Sequence, residues 1–258
     1  MKVKFTILGC GSSLGVPRID GFFGNCDPKN IKNYRSRCSA LIKSKNEAIL
    51  IDTSPDLRQQ LIKNNIKNID KVFYSHMHAD QTHGINDLRV FYIKNKNTIP
   101  VFADKPTTEY LLNNFKYCFV NNNKEYPAIL KLNSINKSLF INDGKKKVKI
   151  QPIKVKHGNV DSVCYIIGKK LAYISDVSSI RKKDYRFFRN LNYLIIDCLW
   201  LRNHPSHLNL EKSLELINEF SPKKAILTNL HSDLDYEELK KRLPNNVLPA
   251  YDGLEIKL

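Results

Sequence analysis

The sequence predicts an α/β fold in which two sheets lie face to face with helices on the outside. Three observations carry this reading. Short apolar runs of strand length dominate the chain, at 3–8, 39–43, 48–52, 71–75, 99–102, 148–155, 162–167, 171–175, 193–197, 224–228 and 254–257. Helical patterns fall between them, and strand runs precede helices in both halves. Many strands are apolar enough to need a covering layer on a face. Periodicity alone fits a doubly wound sheet equally well, so the choice between the two rests on the motifs.

The first run, Met1-Lys2-Val3-Lys4-Phe5-Thr6-Ile7-Leu8-Gly9, alternates charged and apolar side chains as a strand does. It lacks the charged head and long apolar run of a signal peptide, so a cytoplasmic protein is expected. The first helix is expected to open at Ser54-Pro55, with serine as cap and proline in the first turn, and to bury Leu57, Leu61 and Ile62 on one face. A second, at 210–220, places Leu210, Leu214 and Ile217 on one side, and a third spans 236–243 before Pro244. Asn121-Asn122-Asn123-Lys124 reads as an exposed loop. With no repeat and no linker-like stretch, the 258 residues fit one domain, 1–258.

No apolar stretch approaches the roughly 18 residues that span a bilayer. The six cysteines, Cys10, Cys26, Cys38, Cys118, Cys164 and Cys198, are scattered without a CxxC pair, which argues against a disulfide framework or a zinc ribbon. The formal charge of +17 would suit an acidic partner or a phosphate-bearing substrate. Lysine greatly outnumbers arginine and recurs everywhere, so biased residue usage explains the charge as well, and charge alone names no substrate.

Chemistry concentrates after the strand Lys71-Val72-Phe73-Tyr74-Ser75, where His76-Met77-His78-Ala79-Asp80-Gln81-Thr82-His83-Gly84 follows. Two imidazoles one residue apart, with a carboxylate two further on, can converge if the segment turns tightly. Imidazole suits zinc, iron and manganese, and a divalent ion lowers the pKa of its water towards neutrality. The bland alternative is that the histidines only cap a turn. Further ligands are expected at other strand ends, where His157-Gly158 follows 148–155 and Asp176 closes Leu171-Ala172-Tyr173-Ile174-Ser175-Asp176.

The order HxHxD, His157-Gly158, Ser175-Asp176 resembles the metallo-β-lactamase superfamily. Gly9-Cys10-Gly11-Ser12-Ser13-Leu14-Gly15-Val16-Pro17, Gly84-Ile85-Asn86-Asp87-Leu88-Arg89, Leu227-Thr228-Asn229 and Tyr251-Asp252-Gly253 are similar to its phosphoribosyl 1,2-cyclic phosphate phosphodiesterase branch. The resemblance spans essentially the whole chain and implies a four-layer αβ/βα sandwich with metal at the sheet edge. It implies one metal at His76, His78, His157 and Asp176, and a second at Asp80, Asp176 and two histidines. At those two histidine positions this chain carries Gln81 and Asn229. Neutral amides bind metal weakly and only through oxygen. Three readings follow: one tight ion alone; a second, weaker ion such as manganese on Asp80, Asp176, Gln81 and Asn229; or replacement ligands from His83 and His231. Some relatives hold a structural zinc on a cysteine cluster near Cys26, and none is expected here.

Phosphodiester cleavage also needs a proton for the leaving oxygen. His207, in Asn203-His204-Pro205-Ser206-His207, is the first candidate from the resemblance, with helix capping as its bland alternative; His204 and His231 rank below it. Arg37 and Arg89 are candidates to grip phosphate. The expected activity is hydrolysis of a small cyclic or nucleotide-like phosphodiester by a metal-activated hydroxide, with His207 and Asp80 catalytic and zinc or manganese as cofactor. The alternatives are a ribonuclease Z-like nuclease, a thioester or lactam hydrolase, and a non-catalytic binder of metal or anions. Expected partners are the small phosphate substrate and, less favoured, nucleic acid; no membrane is expected, and a homodimer is allowed.

Overall fold

Alternation along the strands builds three apolar layers, and these decide between the two architectures. A computed structural model describes residues 3–121, 127–135, 139–144 and 146–258. Among them the first sheet takes β1 (Lys4–Gly9), β2 (Ser39–Lys43), β3 (Ala48–Ile51), β4 (Lys71–Phe73), β5 (Ile99–Ala103) and β6 (Leu130–Ser134). The second takes β7 (Leu139–Asp143), β8 (Lys146–His157), β9 (Val160–Ile167), β10 (Leu171–Ile174), β11 (Tyr193–Asp197), β12 (Lys224–Thr228) and β13 (Val247–Pro249). The last strand, β14 (Leu254–Lys257), returns to the first sheet beside β1.

In β3, Ile49 and Ile51 join the layer between the sheets while Ala48 and Leu50 join an outer one. In β11, Ile195 points between the sheets and Leu194 and Ile196 point outward. Phe73 stacks on Tyr165 across the gap, ring centroids 5.5 Å apart, and Phe5 meets Tyr173 at 5.4 Å. Each fully buried Leu, Ile or Phe here contributes roughly 1.5–3 kcal/mol over its exposed state. Helices α1 (Leu57–Lys63), α2 (Ala79–Thr82), α3 (Arg89–Asn95) and α4 (Lys105–Phe119) lie in the first half of the chain, and Leu57, Leu61, Phe91 and Leu111 cover the outer face of the first sheet. In the second half, α5 (Leu210–Phe220) and α6 (Tyr236–Arg242) cover the second sheet through Ile217, Phe220 and Leu239. The result is helices, sheet, sheet, helices, and the doubly wound alternative falls.

Several expectations need correction. Ser54 does not cap α1: its hydroxyl accepts from the Asp56 amide in a turn ahead of the helix, and the helix begins at Leu57. Ile62 is 61 % exposed, and Gln60 takes the buried place beside Leu57 and Leu61. Helix α4 was not foreseen, because in Lys-Pro-Thr-Thr-Glu-Tyr-Leu-Leu-Asn-Asn-Phe-Lys-Tyr-Cys-Phe only Thr107, Leu111 and Cys118 are buried, too thin a stripe to show as periodicity. Asp104 caps it through the Thr107 amide. The expected exposed loop at 121–124 lies, from 122 onward, outside the described residues. All six cysteines are free and buried. Among the described residues no helix is long and apolar enough to cross a membrane.

Both sheets place their parallel strands where they matter. Strands β3, β4, β5 and β6 run parallel, as do β10, β11, β12 and β13. Ligands of open α/β sheets bind beyond the carboxyl ends of such strands, and Asp52, His76, Asp176, Asp197 and Asn229 all stand at or just past those ends.

Candidate metal centre

The loop after β4 is tied down before its histidines begin. Asp52, just past β3 with φ of 62°, accepts the Ser75 amide at 2.7 Å and is itself fully buried. The Ser75 hydroxyl meets His76 Nδ1 at 3.0 Å, which turns Nε2 towards His78. Gly84 closes the turn on the other side, where a Cβ would lie 2.0 Å from the Ser54 carbonyl oxygen. Only glycine permits that approach.

His157 ends β8, and its Nδ1 lies 2.7 Å from the Ser206 carbonyl oxygen. A carbonyl can only accept, so Nδ1 carries the proton and Nε2 keeps its lone pair. That Nε2 lies 3.2 Å from His78 Nδ1, which lies 2.8 Å from His76 Nε2. Gly158, at φ of 58°, lets residue 206 approach, since a Cβ there would sit 2.8 Å from Ser206 Cβ. Ring nitrogens of His76, His78 and His157 all fall within 4.8 Å of one another. Burial pushes the His76 imidazole down to about 3, and burial lowers His157 too. Three imidazoles thus converge, with the His157 Nε2 lone pair turned inward, a donor set that fits a divalent cation of borderline softness.

Asp176 is 2 % exposed and forms a second convergence with His157 and His207. Burial works against its charge, but the fields of His76, His157 and His207 outweigh that and hold its carboxyl below the usual range. Asp80, half-buried, is pushed up to about 6 by burial and then by Asp176. Gln81 is fully buried and donates through Nε2 to Asp80 Oδ2 at 3.0 Å and to Asp176 Oδ2 at 3.5 Å. Asn229, just past β12, donates through Nδ2 to the Ser175 carbonyl at 3.1 Å and to Asp176 Oδ1 at 3.3 Å.

His207 Nδ1 pairs with Asp197 Oδ2 at 2.8 Å, and its ring lies against His157, centroids 4.6 Å apart. Burial alone would lower its pKa, but Asp197, then Asp176 and Asp80, raise it to about 9, so the shared proton sits on the imidazole. Asp197 was missed in the sequence, although it closes an apolar strand as Asp176 does. Asp52, Ser75 and the Ser206 carbonyl were also missed; the last is backbone, for which a sequence carries no signal.

The remaining candidates separate. His83 is exposed and bonds the Tyr110 hydroxyl at 3.0 Å, and His231 stacks on Trp200 with centroids 4.9 Å apart. Among the described residues neither joins the converging groups, which speaks against the reading that they supply replacement ligands. His204 receives Ser206 through Nδ1 and lies beside the His207 ring. Arg37 forks onto Asp56 through Nε and Nη2, at 2.8 and 2.6 Å, on the wall of a cavity of about 460 Å³ shared with Leu14, Ile19 and Tyr34. Arg89 is exposed at the start of α3, away from that cavity's lining.

Comparison with known proteins agrees with this geometry. The Beta-lactamase superfamily domain matches residues 47–229. The crystal structure of a new diphosphatase from the PhnP family is 30 % identical, superposes with a TM-score of 0.87, and is covered over 98 % of its length by 100 % of this chain. An octanoyltransferase from Porphyromonas gingivalis is 28 % identical over 257 residues, covering 98 % of this chain and 51 % of that protein. A ribonuclease Z from Prochlorococcus marinus is 28 % identical over 153 residues, covering 57 % of this chain and 44 % of that protein. The chain therefore spans about half the length of the curated relatives it matches.

Proposed function

The chain belongs to the metallo-β-lactamase superfamily and resembles its PhnP family, and from that premise we propose that it hydrolyses a phosphodiester in a small cyclic or nucleotide-like phosphate. The observation that carries the proposal is the convergence of the His76, His78 and His157 ring nitrogens beside Asp176, with His207 packed against His157. His76, His78, His157 and Asp176 would hold a divalent cation, zinc or manganese. Such an ion supplies Lewis acidity, drawing charge from a phosphoryl oxygen and easing the loss of a proton from water.

The chain's own residues handle the protons. Asp80, half-buried at the rim, takes the proton of the attacking water on a carboxylate oxygen. As the phosphorus–oxygen bond to the leaving group breaks, His207 Nε2 delivers a proton to that oxygen. Asp197 holds Nδ1 and so aims Nε2, the free nitrogen. A linear diester gives a phosphomonoester and an alcohol, a cyclic one a single phosphomonoester bearing the freed hydroxyl, and the two proton transfers restore charge balance. Arg37, pre-oriented by Asp56 through Nε and Nη2, offers Nη1 to a phosphoryl oxygen.

A second reading, cleavage of RNA ends, draws support from the ribonuclease Z relative and from the formal charge of +17. Both readings are tested by assaying the purified protein, with zinc or manganese, on bis-p-nitrophenyl phosphate, a cyclic sugar phosphate and an RNA with a 3′ extension. Turnover of the small esters with RNA left intact supports the first reading. RNA cleavage with inert small esters supports the second, and no turnover with any metal removes both.

A further inference from the structure

Asp80 and Asp176 face two buried amides across short distances. Gln81 Nε2 reaches both carboxylates, at 3.0 and 3.5 Å, and Asn229 Nδ2 reaches Asp176 Oδ1 at 3.3 Å. We propose that these amide hydrogens stand in for a second cation, so that the centre is built for a single ion at His76, His78, His157 and Asp176. This rests on reading those histidines as a metal centre and adds how many ions it accepts, and why.

The argument turns on which way each amide points. Asn229 Nδ2 also donates to the Ser175 backbone carbonyl at 3.1 Å, and a carbonyl has no hydrogen to give. Turned over, Asn229 would set its own carbonyl oxygen against that carbonyl and against Asp176, and would gain only His207 Nδ1, which lies 3.1 Å away and already donates its hydrogen to Asp197. The residue has no room to adapt: it is 2 % exposed, and its φ of 62° is a left-handed conformation that asparagine tolerates better than most residues. The Leu230 amide bonds the Cys10 carbonyl at 2.8 Å and anchors the next peptide.

Gln81 is held likewise. Its backbone N–H donates to the His78 carbonyl and its carbonyl accepts from the Thr53 amide, at 3.0 and 2.8 Å. Its side-chain amide is oriented by the two carboxylates that its Nε2 reaches, while Oε1 has no hydrogen-bond partner among the described residues. Between Asp80 and Asp176, where a second cation would have to sit, Asp80 Oδ2 and both Asp176 oxygens each accept an N–H dipole with its positive end inward. Those dipoles offset the repulsion of two neighbouring carboxylates as an ion would, but they repel an ion.

The test is metal stoichiometry, read without any assay of turnover. Purified protein is equilibrated with excess zinc or manganese, dialysed and analysed for ions per chain, beside the double variants Gln81→His/Asn229→His and Gln81→Glu/Asn229→Asp. The unaltered protein is expected to keep one ion, and the double histidine variant two, with manganese giving an exchange-coupled paramagnetic resonance spectrum only in the variant. Two ions in the unaltered protein overturn the inference, and so does a folded double histidine variant that stays at one. If that variant does not fold, the Glu/Asp pair, which replaces each NH₂ by an oxygen of nearly the same size, decides in the same way. No ion at all in the unaltered protein sinks the metal reading together with this inference, whereas two ions sink this inference alone.

Discussion

Within one pocket, two sets of side chains that begin on the same loop make opposite offers. His76, His78 and His157 present ring nitrogens, with the Ser206 carbonyl keeping the His157 proton on the far side of the ring. Gln81 and Asn229 present hydrogens to Asp80 and Asp176. The first set converges as a cation site would; the second, on the inference above, holds amide hydrogens where the family resemblance implies imidazoles. The lesson is that ligand order in a sequence says where a site was laid out, whereas the direction of each donor says whether an ion can enter.

The largest expected effect lies on the histidine side. His78→Ala or His157→Ala should abolish metal retention and measurable turnover together, as followed by metal analysis and hydrolysis of bis-p-nitrophenyl phosphate; full metal content in either variant would break the comparison. Next, His207→Ala should lower turnover by about 10²–10⁴-fold, the range for loss of a general acid, with metal content unchanged. Unaltered rates would remove His207 from the chemistry.

Gly158→Ala probes the support behind the ligands. A Cβ there meets Ser206 Cβ at 2.8 Å, so the Ser206 carbonyl must move off His157 Nδ1. Losing such an outer partner should weaken metal affinity about 10–100-fold, measured by competition with a chromophoric chelator. Stripping the metal with chelator should lower the melting temperature reversibly, because an ion bound only by the folded state adds stability that grows with its concentration over Kd. The smallest effect belongs to His83→Ala, which should leave metal content and rate within about twofold, as surface changes away from special features do little. A lost ion in that variant would restore His83 as a ligand and blur the contrast.

Much of the layered fold was legible because its strands repeat with period two and bury both faces, as β3 and β11 do. Helix α5 was read at its observed bounds, Leu210–Phe220, since its apolar stripe is wide and Asn209 caps it. Helix α4 escaped because its buried side is thin, and Ile62 was misplaced because five residues turn it roughly 140° away from Leu57, whereas Gln60, three residues on, shares the buried face with Leu61. In the site, ligand types and their order could be read along the chain. Asp197 lay in plain view yet unassigned, for its partner His207 is joined to it only when the loop after β11 folds back.

That Gln81 and Asn229 stand where histidines are expected came from the family resemblance alone; residue chemistry and spacing along the chain sufficed for the α/β class, the HxHxD loop and the later His157 and Asp176. Those are properties of side-chain type and local period, which need no partner to be expressed. The tertiary structure alone decided the sheet-on-sheet packing, the tautomer of His157, the pairing of His207 with Asp197, and the inward turn of the Asn229 NH₂ towards the Ser175 carbonyl. Each of these depends on a group brought from a distant strand or loop, and the decisive ones are backbone carbonyls, which every residue carries and only the fold can aim.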